Sequence, residues 1–147
     1  MSVIRITKEF KFEMAHALLG YDGPCKNIHG HSYKLNVTVK GKIKNGTTDS
    51  DEGMVVDFGV IKKIVNDLIV HKYDHALVLN EKMKIDFTQF DFMQKLILVP
   101  FQPTCENLLI HYADLIKTQL PSNLTLHNLF LRETPTSYAE WFAEDNN

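Results

Sequence analysis

Along residues 2–16, apolar side chains alternate with polar ones: Ile4, Ile6, Phe10, Phe12 and Met14 share one parity, His16 continues it, and Lys8 breaks it. Residues 29–43 alternate likewise, with Tyr33, Leu35, Val37 and Val39 on the parity of His29 and His31. A period of two marks a half-buried strand, so both stretches are predicted as strands carrying three histidines on their apolar sides. The connection 17–28 contains Gly20, Gly23 and Pro24, which is turn chemistry. Antiparallel pairing of the two strands brings the histidine-bearing ends together.

Residues 44–53 read as a polar hairpin tip and Met54 to Asp57 as a short strand. The period then changes. Phe58, Ile61, Ile64, Val65, Leu68 and Ile69 fall on one face of a helix over 58–71, with Lys62, Lys63, Asn66 and Asp67 mostly opposite and Asp57 as its N-cap. No period assigns 81–94. Leu96 to Phe101 reads as a strand. Pro103-Thr104 opens a second helix with Thr104 as N-cap, an apolar side of Leu108, Leu109, Tyr112, Ala113, Leu115 and Ile116, and Pro121 as its end. Residues 124–133 alternate again, and a last short strand runs from Tyr138 to Phe142. This order predicts an α+β fold, an antiparallel sheet covered on one face by two helices.

A chain of 147 residues is expected to form one domain over 1–147. Its net charge of −2 gives no reason to expect a nucleic-acid partner. No apolar run reaches the length of a membrane helix, so no membrane partner is expected. The N-terminus reads as a strand rather than a secretory signal. Cys25 and Cys105 are too few for a disulfide framework, which points to a reducing compartment, the cytoplasm.

The chemistry concentrates at His29-Gly30-His31, with Cys25 four residues upstream of His29 and His16 on the preceding strand. Two imidazoles two residues apart on a strand point to one face, and a third on a neighbouring strand completes a nitrogen set. Three neutral nitrogens with an open fourth position make a catalytic zinc site, although copper, nickel or iron also accept such ligands. Cys25, beside Lys26 and near the site, reads as a base or as a fourth ligand that would close it. Cys105, at the start of the second helix, reads as a packed residue. Asp74-His75 is a carboxylate–imidazole pair, but neighbours in sequence seldom bond each other, so partners from elsewhere are expected. Glu133 ends a strand on the apolar parity of Leu129 and Leu131, which reads either as a frayed strand end or as an anchor for a polar ligand.

Taken in order, these segments resemble the 6-pyruvoyl-tetrahydropterin synthase superfamily. Phe12-Glu13-Met14-Ala15-His16-Ala17 is similar to its first-strand ligand motif, and Cys25-Lys26-Asn27-Ile28-His29-Gly30-His31-Ser32-Tyr33 to its central motif. Gly53-Met54-Val55-Val56-Asp57-Phe58 resembles the entry to the first helix, Tyr73-Asp74-His75 the Asp-His motif, and Pro103-Thr104-Cys105-Glu106-Asn107 the start of the second helix. The three residues between Cys25 and His29 resemble the spacing of bacterial 6-carboxytetrahydropterin synthases of queuosine biosynthesis. The pyruvoyl-forming enzymes of animals typically place more residues in that gap.

The resemblance implies a tunnelling fold: an antiparallel four-stranded sheet with two helices on one face, three subunits joined as a barrel and two trimers stacked as a homohexamer, with active sites at subunit interfaces. It implies zinc on His16, His29 and His31, a catalytic group of Cys25, Asp74, His75 and Glu133, and a pterin triphosphate held by Glu133, Thr104 and Glu106. It leaves the triphosphate contacts unplaced, with Lys26 and Arg132 as candidates. Two departures stand out: three residues separate His75 from Leu79-Asn80, and the stretch 81–102 is long for the family. The rival readings are a pyruvoyl-forming synthase, a zinc hydrolase or hydratase, and a non-catalytic zinc- and pterin-binding protein.

Overall fold

In a computed structural model, which describes residues 2–46 and 48–147, the two long alternating stretches form β1 (Val3–His16) and β2 (His29–Lys42). They pair antiparallel in unbroken register, from Val3 opposite Lys42 to His16 opposite His29. The predicted parity is the buried one: Phe10, Phe12, Met14 and His16 of β1, and Tyr33, Leu35, Val37 and Val39 of β2, all face the core. The opposite face carries Thr7, Glu9, Lys11 and Glu13, all exposed. Thr47, within the expected hairpin tip, lies outside the described residues. The short strand expected at Met54 to Asp57 does not form. The Lys44 N–H donates to Met54 O at 2.9 Å and the Gly53 N–H to Lys44 O at 2.7 Å, after which the chain turns to cap a helix.

That helix is α1 (Phe58–Val65), capped by the Asp57 carboxylate, which accepts the Gly59 N–H at 2.6 Å. It continues through a π turn, Asn66–Val70, into the short α2 (His71–Tyr73). The buried residues Ile61, Val65, Ile69 and Tyr73 are spaced by four, and in a regular helix each such step drifts about 40° around the axis. A wider turn returns Tyr73 to the core face, which accounts for the local geometry.

Next come β3 (Ala76–Asn80), β4 (Leu96–Val99), α3 (Cys105–Lys117), β5 (Thr125–Thr134) and β6 (Ser137–Phe142). The sheet has six strands in the order β4-β3-β1-β2-β5-β6. Here the structure corrects the expected four-stranded antiparallel sheet. β3 runs parallel to β1, with Met14 opposite Ala76, and β4 runs parallel to β3. Parallel strands buried on both faces show no alternation, so the short run Ala-Leu-Val-Leu carried no period to read. β4 lies within the long stretch 81–102, which thereby extends the sheet by one edge strand. The core lies between the sheet and the helices, where α3 contributes Leu108, Leu109, Tyr112, Ala113 and Ile116.

Candidate active site at a three-histidine cluster

The end of the β1–β2 ladder places His16 opposite His29 and Met14 opposite His31, so all three imidazoles project from the core face at one end of the sheet. One ring nitrogen from each lies within 4.8 Å of the others. A tetrahedral zinc with nitrogens at about 2.0–2.1 Å holds them ~3.4 Å apart, so small side-chain rotations complete the set.

The hydrogen bonds of the rings define what the cluster can hold. His16 Nδ1 lies 2.7 Å from Pro103 O and His29 Nδ1 lies 2.7 Å from Asn27 O. A carbonyl only accepts, so each Nδ1 carries the proton and each Nε2 presents a lone pair. Those two Nε2 atoms face one another at 3.0 Å. Glu133 Oε1 stands 3.4 Å from His16 Nε2 and 3.7 Å from His31 Nε2. Lone pairs and a carboxylate thus converge on one point, which is the electrostatic requirement of a cation. Burial pushes the pKa of His16 and of His31 down, which favours the neutral rings a metal needs. The donor set fits a nitrogen-preferring divalent metal ion.

Glu133 is held by a residue that sequence reading assigned only to packing. The Tyr33 hydroxyl donates to Glu133 Oε1 at 2.9 Å. Tyr33 is fully buried, and its phenol is pushed well up by burial and then by the Glu133 carboxylate, so it remains a donor. Its parity with His29 and His31 was visible in sequence, but an aromatic on a strand's apolar side reads as core. The backbone carbonyls of Asn27 and Pro103 were invisible for the simpler reason that every residue has one.

Cys25 sits half-buried in a 3₁₀ turn, Pro24–Lys26, and its carbonyl accepts the Leu18 N–H at 3.0 Å, folding the loop back towards the end of β1. Asp74 accepts the Glu13 N–H at 2.8 Å, the largest cause of a carboxyl pKa held below its usual range. His75 Nδ1 lies 3.1 Å from Asp74 Oδ2. The two neighbours therefore do bond each other, contrary to the sequence expectation. His75 has a φ of 62°, and this left-handed backbone turns its ring back onto the preceding carboxylate. Ala76 pairs with Met14 and is buried, whereas the His75 side chain just before it is largely exposed. His75 lines a cavity of about 320 Å³ with Glu13, Met14, Ala15, Gly30, His31 and Ser32, so it borders the same cavity as one histidine of the cluster.

Thr104 caps α3 by accepting the Asn107 N–H at 3.3 Å, and Glu106 lines a separate groove against Trp141 and Phe142 of β6. Cys105 is packed as expected: its thiol donates to Leu131 O at 3.3 Å, and burial raises its pKa to about 12.

The fold and site together define an α+β protein with a candidate metal centre at one end of its sheet. The family model for 6-pyruvoyl tetrahydropterin synthase matches residues 5–144, and the chain belongs to that family. It is 36% identical over 144 residues to 6-carboxy-5,6,7,8-tetrahydropterin synthase of Haemophilus influenzae, covering 95% of this chain and 99% of the relative. It is 34% identical over 140 residues to the protein of the same name from Synechocystis, covering 94% and 92%. The fold is shared with 6-pyruvoyl tetrahydropterin synthase of Caenorhabditis elegans, at a TM-score of 0.67 and 24% identity over 97% of both chains. The Plasmodium falciparum structure of that name gives 0.73 and 21%, covering 96% of this chain and 98% of that one.

Proposed function

We propose that the chain is a 6-carboxy-5,6,7,8-tetrahydropterin synthase, converting 7,8-dihydroneopterin triphosphate to 6-carboxy-5,6,7,8-tetrahydropterin with release of acetaldehyde and triphosphate, in queuosine and 7-deazaguanine biosynthesis. The observation that carries this reading is the convergence of histidine lone pairs beside Glu133, in a chain whose near-full-length relatives bear that name.

In this reading His16, His29 and His31 hold zinc, which when bound supplies Lewis-acid polarisation of the substrate's side-chain oxygens. Cys25 takes the proton from the side-chain carbon. His75, fixed by Asp74, moves protons on the other side of the substrate. Glu133 accepts from the amino group and ring N–H of the pterin through its two oxygens. The Thr104 hydroxyl and Glu106 contact the ring. We assign the Asp74–His75 dyad to the cluster of a neighbouring chain, a reading supported by the large exposure of the His75 side chain on its own chain. That arrangement supports a trimeric barrel, two of which stack as a hexamer in the cytoplasm.

Turnover of dihydroneopterin triphosphate by wild type and Cys25→Ala, with zinc measured on both, tests the assignment. Wild type is expected to form acetaldehyde and the carboxypterin. Cys25→Ala is expected to keep its zinc and lose turnover. A product that retains the pyruvoyl side chain overturns the carboxy assignment. Retained activity in Cys25→Ala points to a hydrolase or hydratase, and sulfur in the metal's coordination sphere to a closed structural site.

A further inference from the structure

The sheet face turned away from the helices carries a row of cations, of which only Arg132 has so far been given a role, as a candidate triphosphate contact. Lys11 of β1 stands directly opposite Lys34 of β2, and Lys34 directly opposite Arg132 of β5. Directly opposed residues share a face, and like charges there repel. The row spans two inter-strand gaps, about 10 Å. One carboxylate reaches it: Glu9 Oε1 lies 3.4 Å from Lys34 Nζ. Among the described residues, no ion pair involves Lys11 or Arg132. The Arg132 guanidinium is fixed without being neutralised. Its Nη1 donates to Pro135 O at 2.8 Å, and it lies over the rings of Phe130 and Tyr138 at 5.3 and 5.1 Å.

The row borders an opening beside the cluster. The β2–β5 ladder stops at Lys34 and Arg132. There, Lys11, Lys34 and Arg132 share the walls of one cavity of about 500 Å³ with His31, Tyr33 and Glu133. Glu13 also lies on that wall, with its carboxylate engaged by the Ser32 hydroxyl at 2.7 Å. At the far end of the sheet Arg5 faces Lys40, but Arg5 Nε donates to His127 at 2.8 Å and neither residue borders this cavity.

We propose that Lys11, Lys34 and Arg132 form the subsite for the triphosphate tail of the substrate, an inference that rests on the pterin triphosphate reading above. The fixed guanidinium offers a two-pronged donor to a phosphate group, and the two lysines add mobile point charges along the chain of phosphates. A polyanion lying across the row relieves the repulsion among the three cations. The same cavity keeps Glu133 within reach of the pterin ring.

The test titrates inorganic triphosphate into the full-length wild type, Lys11→Gln, Lys34→Gln, Arg132→Gln and Lys34→Arg by calorimetry. The same proteins are assayed for KM with dihydroneopterin triphosphate and for binding of phosphate-free dihydroneopterin. Wild type is expected to bind inorganic triphosphate, more weakly as salt is added. Each glutamine substitution should weaken that binding and raise KM on the order of tenfold. Lys34→Arg should restore both, and affinity for the phosphate-free pterin should hold within about twofold. Wild-type triphosphate affinity and KM in the glutamine variants overturn the subsite, as does an equal loss for the phosphate-bearing and phosphate-free ligands. If wild type fails to turn the substrate over but its triphosphate binding depends on the row, the catalytic reading falls and the anion subsite stands.

Discussion

Tyr33 gives its only hydroxyl proton to one oxygen of Glu133, and that bond holds the carboxylate beside the histidines. Substituting Tyr33 by Phe leaves the packing of the ring intact and takes away one hydrogen bond to a charged acceptor, a loss of about 1.5–3 kcal/mol. The expected outcome is a fall in kcat/KM of roughly ten- to a hundredfold with bound metal unchanged, read by steady-state kinetics beside metal analysis. His75 shows a different residue-scale effect. Its left-handed backbone is what lets it bond the carboxylate of its neighbour, and a dihedral angle of this kind leaves no trace in a pattern of apolar and polar letters.

At the scale of elements, the long strands and the two amphipathic helices were legible because each shows a clean period over ten or more residues. Asp57 and Thr104 were legible as caps for the same reason, since a short polar acceptor stands before each apolar helical run. Thr104→Ala is expected to cost about 1 kcal/mol of stability through loss of the cap, measured as a lower urea midpoint at constant slope. A rise in pterin KM larger than that cost explains would show that the hydroxyl also touches substrate. The π turn in the first helix and the strand β3 were not legible. The first answers a spacing of four repeated three times against the sheet. The second is a five-residue apolar run whose in-register partners lie 62 residues before it on β1 and 19 after it on β4.

At the scale of the whole molecule, His111 joins the two helical layers. It shares a 2.9 Å hydrogen bond with Tyr73 and packs against Phe101. Burial is the main cause lowering its pKa, Lys72 adds to the shift, and Asp114 opposes it. A histidine with a depressed folded pKa stays neutral where the unfolded chain already takes up a proton. Its contribution to stability is therefore complete above the ordinary value of 6.5 and is lost as the pH falls below that towards the folded value. Unfolding in urea at about pH 7.5 and about pH 5.5 should show wild type losing more stability on acidification than His111→Gln. Equal losses would remove His111 as a source of the pH dependence.

The alternation of β1 and β2 determined by itself that His16, His29 and His31 share a face at one end of a strand pair, because a period of two leaves each side chain only one face to take. Short-range pattern likewise determined both helices and their caps. The tertiary structure decided what stands around the histidines: the carbonyls of Pro103 and Asn27 that set the ring tautomers, the Tyr33–Glu133 bond, and the alignment of Lys11, Lys34 and Arg132 across three strands. These contacts join residues that lie from two to a hundred positions apart, and they depend on strand register and backbone angles, which only the assembled sheet defines.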